Sequence, residues 1–163
     1  MARSKKPRKA YKPPACRVTA RIKDCLLFEK VVADNRPYTR ERIAEISAAR
    51  WMELHRISTG KGTLQDLDQM AIAYNVTKVL AEKIGRECSE VCHAATNALL
   101  NAKTRYTRAG RIGLDGEGLQ RVRELLGLYD ELLEHITPLH YKAAVYEVLR
   151  RMKAGEIIRE ITE

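Results

Sequence analysis

Residues 119–136 read LQRVRELLGLYDELLEHI. Within this segment Leu119, Val122, Leu126, Tyr129, Leu133 and Ile136 follow one another at steps of 3, 4, 3, 4 and 3. That rhythm returns an apolar side chain to the same side of a 3.6-residue helix at every turn, so the segment predicts an amphipathic helix with one face on a core.

The punctuation around this helix fixes its neighbours. Upstream, residues 109–116 (AGRIGLDG) hold too many glycines to stay helical and read as a loop, closed by Asp115 as the next helix cap. Before that loop the stripe Leu67, Ala71, Tyr74, Val79, Ile84, Cys88, Val91, Ala95, Leu99 and Ala102 continues with only Gly85 to interrupt it. It predicts one long helix from residue 64 to about residue 108, with Gly85 as the place for a kink. Alanines at 71, 81, 94, 95, 98 and 102 leave room for another helix to approach closely.

Thr63-Leu64-Gln65-Asp66 is a capping box with Asp in the usual Glu position, and it marks the start of that long helix. An earlier helix, from about Arg40 to Ser58, is expected from the cap Thr39, the first-turn Glu41, the apolar series Ile43, Ile46, Trp51, Leu54 and Ile57, and the stop at Gly60. Downstream, Thr137-Pro138 reads as a cap followed by proline at the first helical position, and predicts a last helix ending near Lys153. Arg150, Arg151 and Lys153 in its final turn suit the negative end of the helix dipole. Ile157, Ile158 and Ile161 are expected to pack as a short tail, and no internal repeat is visible. The expectation is an all-α fold: four main helices, one of them long, in a compact bundle forming a single domain over residues 24–163, preceded by a basic arm over residues 1–23.

Composition agrees with one helical domain. A chain of 163 residues can bury enough surface to stabilise a core unaided. Nine aromatic residues make that core aliphatic and alanine-rich. No run approaches the roughly 18 consecutive apolar residues of a membrane span, and the first residues carry charge without the apolar stretch of a secretory signal. A cytoplasmic location follows as the expectation, with no membrane partner and with Cys16, Cys25, Cys88 and Cys92 as reduced thiols.

The formal charge is +9, and its placement is uneven. Residues 1–23 contain Arg3, Lys5, Lys6, Arg8, Lys9, Lys12, Arg17, Arg21 and Lys23 and no acid, while the remaining 140 residues balance 21 cations against 21 acids. With Pro7, Pro13 and Pro14 and almost no aliphatic residue, the first 17 residues have too little apolar surface to offset the entropy of ordering them, so a flexible arm is expected. Clustered Lys and Arg neutralise phosphates and release counterions, which makes these nine cations the candidate nucleic-acid-binding residues; an acidic protein surface suits the same chemistry. Tyr11 is available to stack on a base. Residues 18–32, with Val18, Ile22, Leu26, Leu27, Phe28, Val31 and Val32 at irregular spacing, fit either a short strand or a loop lying on the core.

Other motifs read better as structure than as chemistry. Residues 58–63 (STGKGT) resemble a phosphate-binding loop, but the pattern needs Gly where His55 stands and Ser or Thr where Gly62 stands. Cys88, Cys92 and His93 lie close enough to suggest a soft metal, yet no second ligand pair exists at finger-like spacing and both cysteines fall on the apolar stripe. His55, His135 and His140 are scattered, and the carboxylate pairs Glu131/Glu134 and Glu45/Glu53 are what solvated helix faces carry. A DNA-reading helix-turn-helix centred on Gly127 would place Val122, Leu126, Leu128, Leu133 and Ile136 correctly, but puts Arg123 where a small packed residue belongs. The unbroken stripe through Gly127 favours one straight helix.

Taken together, the capped Thr63-Leu64-Gln65-Asp66, Asn75, Leu80, the stripe from Leu126 to Ile136 and the basic Arg8-Lys9-Ala10-Tyr11-Lys12-Pro13 resemble a family of small helical proteins encoded by proteobacterial phages and prophages, some of them labelled Fis-like transcriptional regulators. The resemblance implies a phage gene product in a bacterial cytoplasm and supplies no functional residues, and Arg123 departs from the Fis-type DNA-reading helix. The expected function is a noncatalytic regulator or adaptor, without cofactor or metal, whose arm binds nucleic acid or a nucleoprotein assembly while the body packs or dimerises. The alternative is a protein-directed inhibitor or scaffold that binds a host or phage protein complex through a helix face, for example in counter-defence. An enzyme would require a pocket joining distant residues such as His55, His93 and His140.

Overall fold

A computed structural model describes residues 36–155. The arm at 1–23, the segment 18–32, Cys16, Cys25 and the isoleucines 157, 158 and 161 lie outside the described residues. Within them the chain is all-helical: α1 (Arg40–Ser58), α2 (Leu64–Ile84), α3 (Arg86–Ala109), α4 (Gly116–His135) and α5 (Pro138–Lys153). Four of the helix starts are set by side chains that accept a proton from the exposed backbone of the first turn. Thr39 accepts from Arg42, Thr63 from Asp66, Asp115 from Gly118 and Thr137 from His140. Thr63 and Asp66 form the reciprocal box, Asp66 Oδ2 accepting the Thr63 backbone proton at 2.8 Å.

The expected long helix is two helices. Gly85 takes φ 145° and ψ 179°, a region that residues with a Cβ avoid, and the chain changes direction there instead of kinking. Its amide still closes the last turn of α2 on Ala81 O at 3.0 Å, and its carbonyl accepts from Ser89 to open α3. One residue therefore ends one helix and starts the next, and the bundle has five helices instead of four. Gly127, by contrast, lies inside an unbroken α4, so no helix-turn-helix is centred there.

Helix α2 sits at the centre and packs against α1, α3, α4 and α5, while α4 closes the other side against α1, α3 and α2. The core consists of Leu54 and Ile57 of α1, Met70, Tyr74, Val76 and Leu80 of α2, Cys92, Leu99 and Ala102 of α3, and Val122, Leu126, Tyr129 and Leu133 of α4. Ala144 and Val148 add the contribution of α5. Ile112, from the glycine-rich loop, is buried with them. Two charged clamps frame the centre. Arg56 Nε donates to Asp66 at 2.8 Å where α1 meets α2, and Arg151 of α5 binds Glu82 at the far end of α2 at 2.7 Å.

Two outcomes test this architecture. Gly85→Ala meets no steric obstacle, since a Cβ there has open space around it, yet it is expected to cost about 1–3 kcal/mol in urea unfolding from backbone strain alone; unchanged stability would mean that α2 and α3 run on as one helix. The hydrogen bonds from Arg56 and Thr63 hold the buried Asp66 carboxyl down at about 2. A depressed carboxylate stabilises the fold above its unfolded pKa and stops doing so below its folded one. Asp66→Asn should therefore lose about 1–2 kcal/mol at neutral pH, with the gap to wild type closing as pH falls from about 4 to about 2. A gap independent of pH would contradict the ion pair.

Candidate nucleic-acid interface

Residues 36–155 hold nineteen Lys and Arg against fifteen Asp and Glu. The excess has one location. From residue 91 to residue 114 there is no acid, and four cations stand there: Lys103, Arg105, Arg108 and Arg111. Elsewhere in the described residues fifteen cations face fifteen acids.

Helix α3 displays this stretch because its inner face is used up. Cys88, Cys92, Ala95, Leu99 and Ala102 are buried between α2 and α4. The outer face is a narrow ridge of exposed side chains. It begins with Arg86, Glu87 and Glu90, where Arg86 Nε pairs with Glu90 at 2.8 Å. The neutral polar side chains His93, Asn97 and Asn101 follow, and Thr104, Arg105 and Arg108 complete it. Acid at the N-terminal end and base at the C-terminal end follow the helix dipole. From His93 to Arg108 the ridge extends about 22 Å at 1.5 Å per residue.

The basic end is held firmly. Arg105 donates to Asp115 Oδ2 at 2.8 Å and to Gly113 O at 3.4 Å, while the other oxygen of Asp115 accepts from Gly118 at the start of α4 at 2.7 Å. The Gly118 backbone proton first, and Arg105 second, keep the Asp115 carboxyl below its ordinary value. With Ile112 buried beneath it, the loop between α3 and α4 is pinned at both edges. Arg108 and Arg111 are exposed and form no ion pair among the described residues. The Lys103 ammonium is shielded and has no hydrogen-bond partner among them.

The remaining candidates resolve into structure. Cys88 and Cys92 lie together on the inner face of α3 as buried thiols, whereas His93 points outward with the ridge, so these three do not converge. Residues 58–63 form the turn between α1 and α2: Gly60 donates to Ile57 O, Lys61 donates to Arg56 O, and Gly62 is packed on the Ile57 backbone, which leaves no cradle for a phosphate. Glu53 is not on a solvated face as its spacing suggested. It is buried at the α1–α2 seam, with Arg50 donating to both its oxygens at 2.7 and 2.9 Å and to Gln69 at 2.9 Å. Burial pushes its carboxyl up, against the pull of Arg50. Glu45 does lie on the surface, paired with Arg42.

A cleft of about 360 Å³ opens between α2 and α5, lined by Val79, Leu80, Lys83, Ala143 and the Glu82–Arg151–Glu147 network. Arg151 Nε reaches Glu147 at 2.6 Å, so the network's charges are spent on one another. His140 lines the same cleft through the capping box with Thr137, His93 stands on the α3 ridge and His55 lies in the last turn of α1; no pocket joins the three. Among the described residues no three His, Cys, Asp or Glu side chains are grouped as metal ligands, and no helix is long and apolar enough to cross a membrane. The outer face of α5 is partly apolar, with Tyr146, Leu149 and Met152 exposed and the Lys142 ammonium 5.7 Å from the centre of the Tyr146 ring.

Burial raises the Cys92 thiol to about 12, so at neutral pH almost none of it is thiolate, the form that attacks or binds metal. Iodoacetamide should leave Cys92 unmodified in the native protein and modify it fully in urea, as read by peptide mass spectrometry; fast native labelling would refute the packing of α3. The chain has no significant match among models of protein families, curated proteins or solved structures.

Proposed function

We propose that the protein is a noncatalytic nucleic-acid-binding regulator or adaptor whose basic arm, residues 1–23, engages the phosphate backbone of nucleic acid or of a nucleoprotein assembly, while the helical body provides a rigid platform. The observation that carries this reading is charge segregation: nine cations without an acid in the arm, followed by a body that pairs most of its own charges internally. Counterion release from a polyanion is the interaction such an arm is built for, and it requires no sequence reading. The resemblance to helical proteins of proteobacterial phages and prophages supports action in a bacterial cytoplasm as part of the same proposal.

The apolar outer face of α5 favours a second reading, in which a helix face recognises a host or phage protein complex and the arm assists by reaching an acidic patch on it. The two differ in what salt and truncation do. Binding of the full chain to generic duplex and single-stranded oligonucleotides, followed by fluorescence anisotropy across a KCl series, should weaken steeply with salt, with a slope of log affinity against log salt as steep as about −8 if all nine arm cations contact B-form phosphates. Deleting residues 1–23 should remove most of that slope. Absence of binding at low salt would refute the nucleic-acid reading and leave the protein-directed one.

A further inference from the structure

We infer that the body contributes a second contact surface of its own: the α3 ridge from His93 to Arg108, together with Arg111, docks along a nucleic-acid duplex. The inference rests on the nucleic-acid reading above and adds the place where the folded domain meets the ligand. Its first support is the location of charge. All four surplus cations of the described residues fall between residues 103 and 111, and the 24 residues from 91 to 114 contain no acid.

A helix C-terminus attracts cations for its own stability, which accounts for Arg105 and Arg108 in or near the last turn. It does not account for Arg111, which lies beyond the helix, nor for the absence of acids two turns and more upstream. The cations of α4 offer a contrast: Arg121 is answered by both Glu117 and Glu124. Ordinary surface in this protein is balanced within a turn, and the ridge is not.

Shape and chemistry make the second support. The ridge is convex, about 22 Å long and one side chain wide at its middle, dimensions that suit the roughly 12 Å major groove of a duplex. Its neutral part presents Asn97 and Asn101, whose amides both donate and accept, and Thr104 adds a hydroxyl. Arginine forks at 105 and 108 complete a set of groups that bond phosphate oxygens or base edges without introducing a repelling charge. No aromatic side chain is exposed on the ridge, which favours duplex over single strands, since single strands gain much of their affinity from stacking. Arg108 and Arg111 form no ion pair among the described residues, so docking breaks none, and Arg105 is already fixed by Asp115.

The test compares the full chain with R108E/R111E and with R40E/K142E, an equal charge reversal at exposed positions on α1 and α5. Affinity for a duplex and for a single strand of the same sequence is measured across a KCl series, with circular dichroism and Tm confirming the fold. Expected is at least a tenfold loss of duplex affinity in R108E/R111E, a salt slope shallower by about 2, near-complete rescue by R108K/R111K, and a clearly smaller loss in R40E/K142E. Equal losses in the two reversals would reduce the effect to net charge and overturn the inference, as would an R108E/R111E variant that binds duplex like the wild type. In either case the arm-based reading stands, because the wild-type chain still binds. A wild-type chain that binds no nucleic acid at low salt overturns both.

Discussion

Helix α2 can be surrounded, and the rest of the bundle depends on that property. It is packed by all four other helices, and its middle turns, Ala73, Tyr74, Asn75, Val76 and Thr77, are buried almost all round. A helix in that position must dispose of every polar group it carries. Thr77 returns its hydroxyl proton to Ala73 O at 2.7 Å, and the Tyr74 hydroxyl meets Thr96 of α3 at 2.6 Å, Thr96 being in turn bonded to Cys92 O. Only the Asn75 carbonyl oxygen lacks a partner among the described residues of this helix. The charged residues of α2 that form ion pairs, Asp66 and Glu82, sit towards its two ends, where Arg56 and Arg151 can reach them from outside the core.

Much of this was legible from local chemistry. The caps at Thr39, Thr63, Asp115 and Thr137 are side-chain-to-backbone interactions over three residues, so the sequence carries them whole. The amphipathic face of α4 was visible for the same reason, although the stripe through Leu126 and Tyr129 understated it: Leu125, Leu128 and Leu132 are buried too, because α4 meets three helices and not one. What escaped depended on partners far along the chain. The break at Gly85 looks like a kink in a periodicity that continues on both sides, and only the φ of 145° separates the two helices. Glu53 resembled a surface acid because its partner Arg50 and the covering helix α2 are not visible in its own spacing. Ile112 looked like a loop residue and is core.

The site was legible as composition and not as geometry. Counting acids along the chain finds the blank between residues 91 and 114 without any structure, but it takes the fold to show that the inner half of that stretch is spent on packing and that the remainder forms one ridge. The cations here thus divide into two kinds. Arg50, Arg56 and Arg151 complete the bundle by pairing with acids at helix seams. Arg108 and Arg111 serve no such seam. A family of variants at the first group would report on folding, whereas the second group is available to evolve with a ligand.

The single-residue corner at Gly85 bears on how the chain reaches this state. With α2 and α3 joined by one residue, and α3 and α4 by a six-residue loop, most of the packing is between neighbours in sequence. Chains whose contacts are mostly local close small loops early and fold fast. Here α2, α3 and α4 form a contiguous block able to condense first, and α1 and α5 contribute the nonlocal seams to α4 and α2 that close last. The ridge on α3 belongs to the block that would assemble earliest, so the surface that faces a ligand rests on the part of the protein that is slowest to come undone.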